Sequence, residues 1–212
     1  MDVQNEALPE TENGAEPAHS VRNRLDDSTY RSVEQAPALR PRKLVVLHWL
    51  TALFLVLGVT LILIRDQVAG RVLRQWLLEG HRHFGLFVLF LFFARVAVRI
   101  RLGKLPAADD SSRLLRIVAT LTHVALYALL LVQPLLGWAL SNAQGKPVHL
   151  LGATLPALVG SDEDLADALT LWHIDVAWLL LALVTVHALA ALWHHFVRRD
   201  GVLRMMLPRP RG

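Results

Sequence analysis

The chain has 212 residues, of which 54% are hydrophobic and 19% charged, with a formal net charge of +4 and no cysteine. Soluble proteins average about 45–50% apolar and about 25% charged residues, so this balance points to a membrane protein. The missing cysteines exclude disulfides, cysteine-held iron–sulfur clusters, thiolate zinc sites and covalent C-x-x-C-H haem attachment, so any redox chemistry must use a non-covalently held cofactor.

Residues 1–39 hold eight acids against three arginines, with Tyr30 as the lone aromatic. They read as a disordered acidic tail, and not as a signal peptide, because no basic start leads into an apolar stretch. Four apolar segments follow within 40–208, predicting spans at about 44–64, 81–100, 117–140 and 171–193. The first carries no formal charge over 21 residues, enough to cross a hydrocarbon core of roughly 30 Å. The second is the weakest, with Arg95 and Arg99 towards its end; arginines there can snorkel to the headgroups. The third contains His123 and Pro134, the fourth His173, Asp175 and His187. Residues 209–212 form a basic C-terminal end. The expected fold class is an all-α membrane protein, four transmembrane helices in an antiparallel bundle. Uncharged runs this long argue against a soluble all-α protein.

Lysines and arginines set the orientation. Fourteen fall on the side of the N-terminus, the second loop and the C-terminus, against five (Arg65, Arg71, Arg74, Arg82 and Lys146) on the other. The positive-inside rule predicts both termini in the cytoplasm. Arg65, Arg71, Arg74 and Arg82 are expected in the first outer loop. The last outer loop is acidic, with Asp162, Glu163, Asp164 and Asp167.

Histidines mark the ends of every span, and an intramembrane histidine is costly without a partner. The bland explanation of any one of them is a helix–helix hydrogen bond. The spacing says more. His173 and His187 are fourteen residues apart, about 21 Å of helical rise and close to four turns, so they share a face at two depths. Two haems stacked across a bilayer need ligands separated in this way, with partners from facing helices. By depth, His48 can partner His187 and His81 can partner His173. His83 competes with His81, and His123 rivals His48 as the inner ligand; depth alone leaves both choices open. Gly85, one turn beyond His81, leaves room for a flat macrocycle. Arg95 lies on the same face as His81 at the inner end, where it can pair with a haem propionate or act as a snorkelling anchor. His194 returns to the face of His187 at the cytoplasmic mouth, where a histidine suits a quinone carbonyl that needs a proton donor on reduction. His195 is turned aside, and His149 and His19 receive no assignment.

These stretches, in order, resemble the prokaryotic cytochrome b561 family: LHW at His48, HRHFG at His81, HVALY at His123 continuing to QPLLGW, GKPVHLLG, LWHIDVAWLLLALVTVHALAALWHH and LRMMLPR. The likeness runs from about Arg40 to Pro208. It implies a four-helix membrane protein with two b-type haems, His48 and His187 on the inner iron and His81 and His173 on the outer. In family members that act as superoxide oxidases, electrons pass from superoxide outside, through both haems, to ubiquinone near the inner end. The matching quinone-side position is the His194–His195 pair, with His194 favoured by phase. The long acidic tail and His83, where a small polar residue is more usual, depart from the family pattern.

Two axial histidines leave no open site for oxygen on the iron, so such a haem moves electrons. The expected function is a membrane di-haem cytochrome b, an oxidoreductase of the superoxide:ubiquinone type or an electron-transfer cytochrome, in the bacterial inner membrane. The runner-up is an anchor subunit linking a periplasmic dehydrogenase or hydrogenase to the quinone pool. A histidine-lined metal transporter is a third reading, disfavoured because the spans hold Asp175 as their one acid. Expected partners are quinone, superoxide or a periplasmic redox protein, and membrane lipid; a homodimer is allowed, and no nucleic acid is expected.

Overall fold

The computed structural model describes residues 41–103, 113–199 and 203–207. The expected acidic tail at 1–39 and the basic end at 209–212 lie outside the described residues. Among the described residues, four helices are long and apolar enough to cross a membrane. They are α1 (Arg42–Arg65), α2 (Arg71–Arg101), α3 (Arg113–Ala143) and α4 (Glu163–Trp193). A two-stranded antiparallel hairpin, β1 (His149–Leu150) and β2 (Ala153–Thr154), sits between α3 and α4.

The helices outrun the apolar segments. α2 begins at Arg71, ten residues before the span expected from residue 81. This corrects the placement of four arginines: Arg65 ends α1, Arg71, Arg74 and Arg82 lie on α2, and the connection between the two helices is only 66–70. The physical reason is that RVLRQWLLEG contains good helix formers, while Arg71, Arg74 and Glu79 interrupt hydropathy without interrupting a helix. Glu79 also pairs with Arg82 one turn on, at 2.6 Å, a spacing that supports a helix surface. α4 likewise starts at Glu163, where the Asp162 side chain accepts a hydrogen bond from the Leu165 N–H at 2.9 Å. An acid at that position satisfies an orphan donor and meets the positive helix end.

Packing is antiparallel and sequential. α1 packs on α2, α2 on α3 and α3 on α4. The side chains bridging them confirm the direction: Gly58, late in α1, meets His81, early in α2, and Gln133, late in α3, meets His173, early in α4. Both described ends of the chain lie at one end of the bundle, where Trp49 Nε1 donates to the Met206 carbonyl at 2.6 Å. A short 3₁₀ turn, Arg204–Met206, brings that carbonyl back to α1 and buries Met205.

The opposite end is closed by a small core. Ala143, Ala166 and Leu169 are buried, with Leu136, Leu140 and Val159 packed around them. Asn142 ties this loop together, its Oδ1 accepting from the Leu158 N–H at 2.9 Å. The hairpin tip turns at Leu151 and Gly152, both at positive φ (51° and 88°), the geometry of a tight two-residue hairpin. Elsewhere large apolar side chains face outward, including Val56, Phe90, Leu121 and Trp178. In water this would be a liability; around a bundle of membrane-length helices it is the surface that lipid covers.

Candidate cofactor-binding site

Two pairs of imidazoles face each other across the bundle. His48 on α1 meets His187 on α4 with ring centroids 6.4 Å apart at 89°. His81 on α2 meets His173 on α4 with centroids 6.1 Å apart at 87°. An imidazole nitrogen lies about 2.0 Å from a metal it ligates, so two rings on opposite sides of one metal have centroids about 6.3 Å apart. Both pairs match that separation.

The His81–His173 pair opens on a cavity of about 650 Å³ lined by all four helices, well within the range of cofactor pockets. Its walls are mostly apolar, from Phe54 and Leu55 on α1 to Ala177 and Leu181 on α4. Three glycines shape it. Gly85 lines the cavity and has nothing within 4 Å of where a Cβ would stand. Gly58 gives its carbonyl to Nδ1 of His81 at 2.9 Å. Gly137 lets α3 approach His173 closely. Gln133 donates to the His173 carbonyl at 3.0 Å, and its amide nitrogen lies 3.3 Å from Nε2 of the same ring.

Four buried side-chain polar atoms lack a partner among the described residues: Gln133 Oε1, Trp138 Nε1, His173 Nδ1 and Arg65 Nε. Their residues all line this one cavity. Buried polar groups are normally satisfied, so a cluster of orphans marks a place built for a further group. An apolar slot, a bare glycine face, two opposed imidazoles and polar atoms at the rim fit a flat iron macrocycle with polar substituents.

The His48–His187 pair sits in a more polar setting. Arg95 Nη1 lies 3.3 Å from His48 Nδ1, and its guanidinium stacks 5.4 Å over the Tyr127 ring. His123 also reaches this cluster, its ring 5.5 Å from that of His187, while its Nδ1 donates to the Ala119 carbonyl at 2.6 Å. The structure therefore brings His48, His123, His187 and Arg95 together. His83 turns back on its own helix, donating to the Glu79 carbonyl at 2.8 Å. Beyond α4, His194–Arg198 form a π-helical turn ending at Arg199 in the left-handed region. Such turns often mark functional positions. His194 and His195 are half-buried there, and His195 packs against Phe196.

Sequence reasoning missed Gln133, Gly58 and Gly137. A polar amide just before Pro134, inside an otherwise apolar span, was the available signal. Among the described residues, no group of three or more His, Asp or Glu side chains is placed to hold a bare metal ion, and Asp175 is exposed on α4.

A four-helix membrane bundle with imidazoles opposed across its interior defines a class, the membrane cytochromes that hold haem between helices. The chain matches the prokaryotic cytochrome b561 family over residues 40–209 and belongs to that family. It is 30% identical over 166 residues to a probable superoxide oxidase CybB of Yersinia pestis, covering 78% of this chain and 94% of the relative. It is 30% identical over 175 residues to cytochrome b561 homolog 1 of Escherichia coli K12, with the same coverage of both chains. Homolog 2 of the same organism is 35% identical over 137 residues, 61% of this chain and 69% of the relative. The protein is a multi-pass membrane cytochrome b, and family membership implies that it binds haem b.

Proposed function

We propose that this protein is a di-haem cytochrome b that takes electrons from superoxide on the periplasmic side and delivers them to ubiquinone near the cytoplasmic side of the inner membrane. The observation that carries the reading is the pair of opposed imidazoles at two depths, at 6.4 and 6.1 Å. In this scheme His81 and His173 hold the outer group, and His48 and His187 the inner one. His48 is preferred to His123 because 5.5 Å between the His123 and His187 rings is short for a metal held between two imidazoles. Haem b, if held by these histidines, would supply one-electron transfer.

The chain's own residues supply the rest. Gly58 and Gln133 fix the orientations of His81 and His173. Arg65, Arg71, Arg74, Arg82 and Lys146 line a cleft of about 830 Å³ at the outer end. It adjoins the outer cavity, with Arg65, Leu78, Arg82 and Lys146 lining both. Fixed positive charge around such a cleft draws a small anion. At the other end, His194 is assigned to donate a proton to a quinone carbonyl as it is reduced. Two superoxide anions lose one electron each and leave as oxygen, and one ubiquinone gains both electrons and two protons. The charge bias of the loops supports cytoplasmic termini, and the 30% identity to a probable superoxide oxidase supports the donor.

The test is purified, haem-loaded protein given a superoxide source and a soluble ubiquinone analogue. Ubiquinol forming at one equivalent per two superoxide anions supports the reading. Haem-replete protein that reduces no quinone under these conditions supports the anchor-subunit role instead.

A further inference from the structure

The histidines of the first two helices present their outward ring nitrogens to opposite chemistry. Nδ1 of His81 lies 2.9 Å from the Gly58 carbonyl oxygen. Nδ1 of His48 lies 3.3 Å from the Arg95 guanidinium. A carbonyl only accepts hydrogen bonds and a guanidinium only donates them. The contrast matters when Nε2 of each ring is committed to iron, and so rests on the haem pairing given under Proposed function.

A neutral imidazole bound to a metal through Nε2 carries its hydrogen on Nδ1. At His81 that hydrogen goes to the Gly58 carbonyl, which makes the ring a stronger electron donor. A stronger donor stabilises ferric over ferrous iron and lowers the reduction potential. At His48 the same nitrogen faces a cation with no lone pair, so that push is missing. A fixed positive charge beside the site also favours the state of the iron with one positive charge fewer. Both effects raise the potential of the inner site relative to the outer.

The surrounding charges sharpen the difference. The two guanidiniums that line the outer cavity are matched, Arg65 with Asp66 at 3.0 Å and Arg82 with Glu79 at 2.6 Å, whereas Arg71 and Arg74 line only the cleft beyond it. Among the described residues no carboxylate pairs with Arg95, which instead rests on the Tyr127 face. Arg95 is half-buried within the span of α2, where solvent and salt screen a charge poorly.

We propose that Arg95, acting through His48, makes the inner haem the higher-potential one, so that a gradient built into the bundle carries electrons from the outer end to the inner. In each transfer the outer iron is oxidised from ferrous to ferric and the inner iron reduced from ferric to ferrous by one electron. The superoxide donor re-reduces the outer iron and the quinone drains the inner. Arg95 touches no reacting atom; it tunes the ligand.

The test is an equilibrium redox titration of the purified protein followed by visible spectroscopy. The two waves are assigned by His187→Ala, which leaves the outer haem, and His173→Ala, which leaves the inner. The inner haem should titrate at the higher potential. Arg95→Gln should lower the reduced-to-oxidised ratio of the inner haem at fixed poise by about tenfold, about 59 mV for a one-electron couple, and leave the outer haem unmoved. Arg95→Lys, which keeps the charge, should restore most of the difference. An inner haem at equal or lower potential in the parent overturns the proposal, even where Arg95→Gln fails to assemble. So does an Arg95→Gln variant with unchanged or raised inner potential. A protein that binds one haem, or whose histidine variants lose both together, refutes the haem pairing itself, a distinct outcome from two haems in the wrong order.

Discussion

A β-carbon placed on Gly137 would stand 3.0 Å from Cε1 of His173, tighter than side chains normally tolerate. The glycine lies four residues beyond Gln133, on the same face of α3, so the helix meets the His173 ring with a bare turn and its carbonyl with an amide. Gly137→Ala should displace the ring, because overpacking a close contact costs about 1–3 kcal/mol and moves side chains off their rotamers. The expected result is loss of most of the outer haem with the inner haem retained, read as a haem-to-protein ratio falling from about two towards one. Full occupancy in Gly137→Ala would mean that His173 can retreat, and that this contact does not set the ligand geometry.

The histidine pairs make a sharper expectation. His173→Ala should remove the outer haem and His187→Ala the inner, each leaving one low-spin haem. His123→Ala should leave both, because its ring packs against His187 without the separation that a shared metal requires. If His123→Ala strips the inner haem while His48→Ala spares it, the inner pairing is His123 with His187.

Much of this was legible in the sequence because it is written in periodicity. Fourteen residues between His173 and His187 fix a shared face and two depths whatever the neighbours do, and long uncharged runs fix the spans. Other features depend on which residues of different helices end up opposite each other. Gly58 reads as an ordinary small residue in an apolar span until α2 brings His81 to its carbonyl. Gln133 was visible as an intramembrane amide, but its partner on α4 was not. The early start of α2 was hidden for another reason: Arg71, Arg74 and Glu79 lower hydropathy while remaining compatible with a helix, so the apolar run and the helix end at different places. Depth left His48 and His123 open because both do approach His187, at ring separations of 6.4 and 5.5 Å; the preference for His48 came from the family resemblance, and the wider separation supports it as a proposal.

The quinone end can be tested apart from the haems. His194, seven residues and about two turns beyond His187, opens the π-helical turn. His194→Ala should slow ubiquinone reduction by about 100-fold, the usual contribution of a placed proton donor, with both haem spectra intact and reduction of the outer haem unchanged. Loss of a haem in this variant would make His194 a ligand and overturn the assignment.

The outer cleft gives the last expectation. Arg71 and Arg74 are exposed on the first turns of α2, unlike Arg65 and Arg82, which have carboxylates beside them. Placing them on a helix, not on a loop, makes the positive charge a fixed feature of the cleft, held above the outer cavity through Leu78 and Arg82. Such a field can raise the arrival rate of a small anion about 10-fold or more, and salt screens it with a Debye length of about 8 Å at physiological ionic strength. Reduction of the outer haem by superoxide should therefore slow as salt rises. Neutralising Arg71, Arg74 and Arg82 together should slow it by about 10-fold at low salt and flatten the salt dependence, with haem content unchanged. A neutral reductant of similar size serves as the control, because its rate should respond to neither change. Superoxide rates insensitive to salt and to all three substitutions would leave the cleft without a role in capturing an anion and would favour a protein donor at this end.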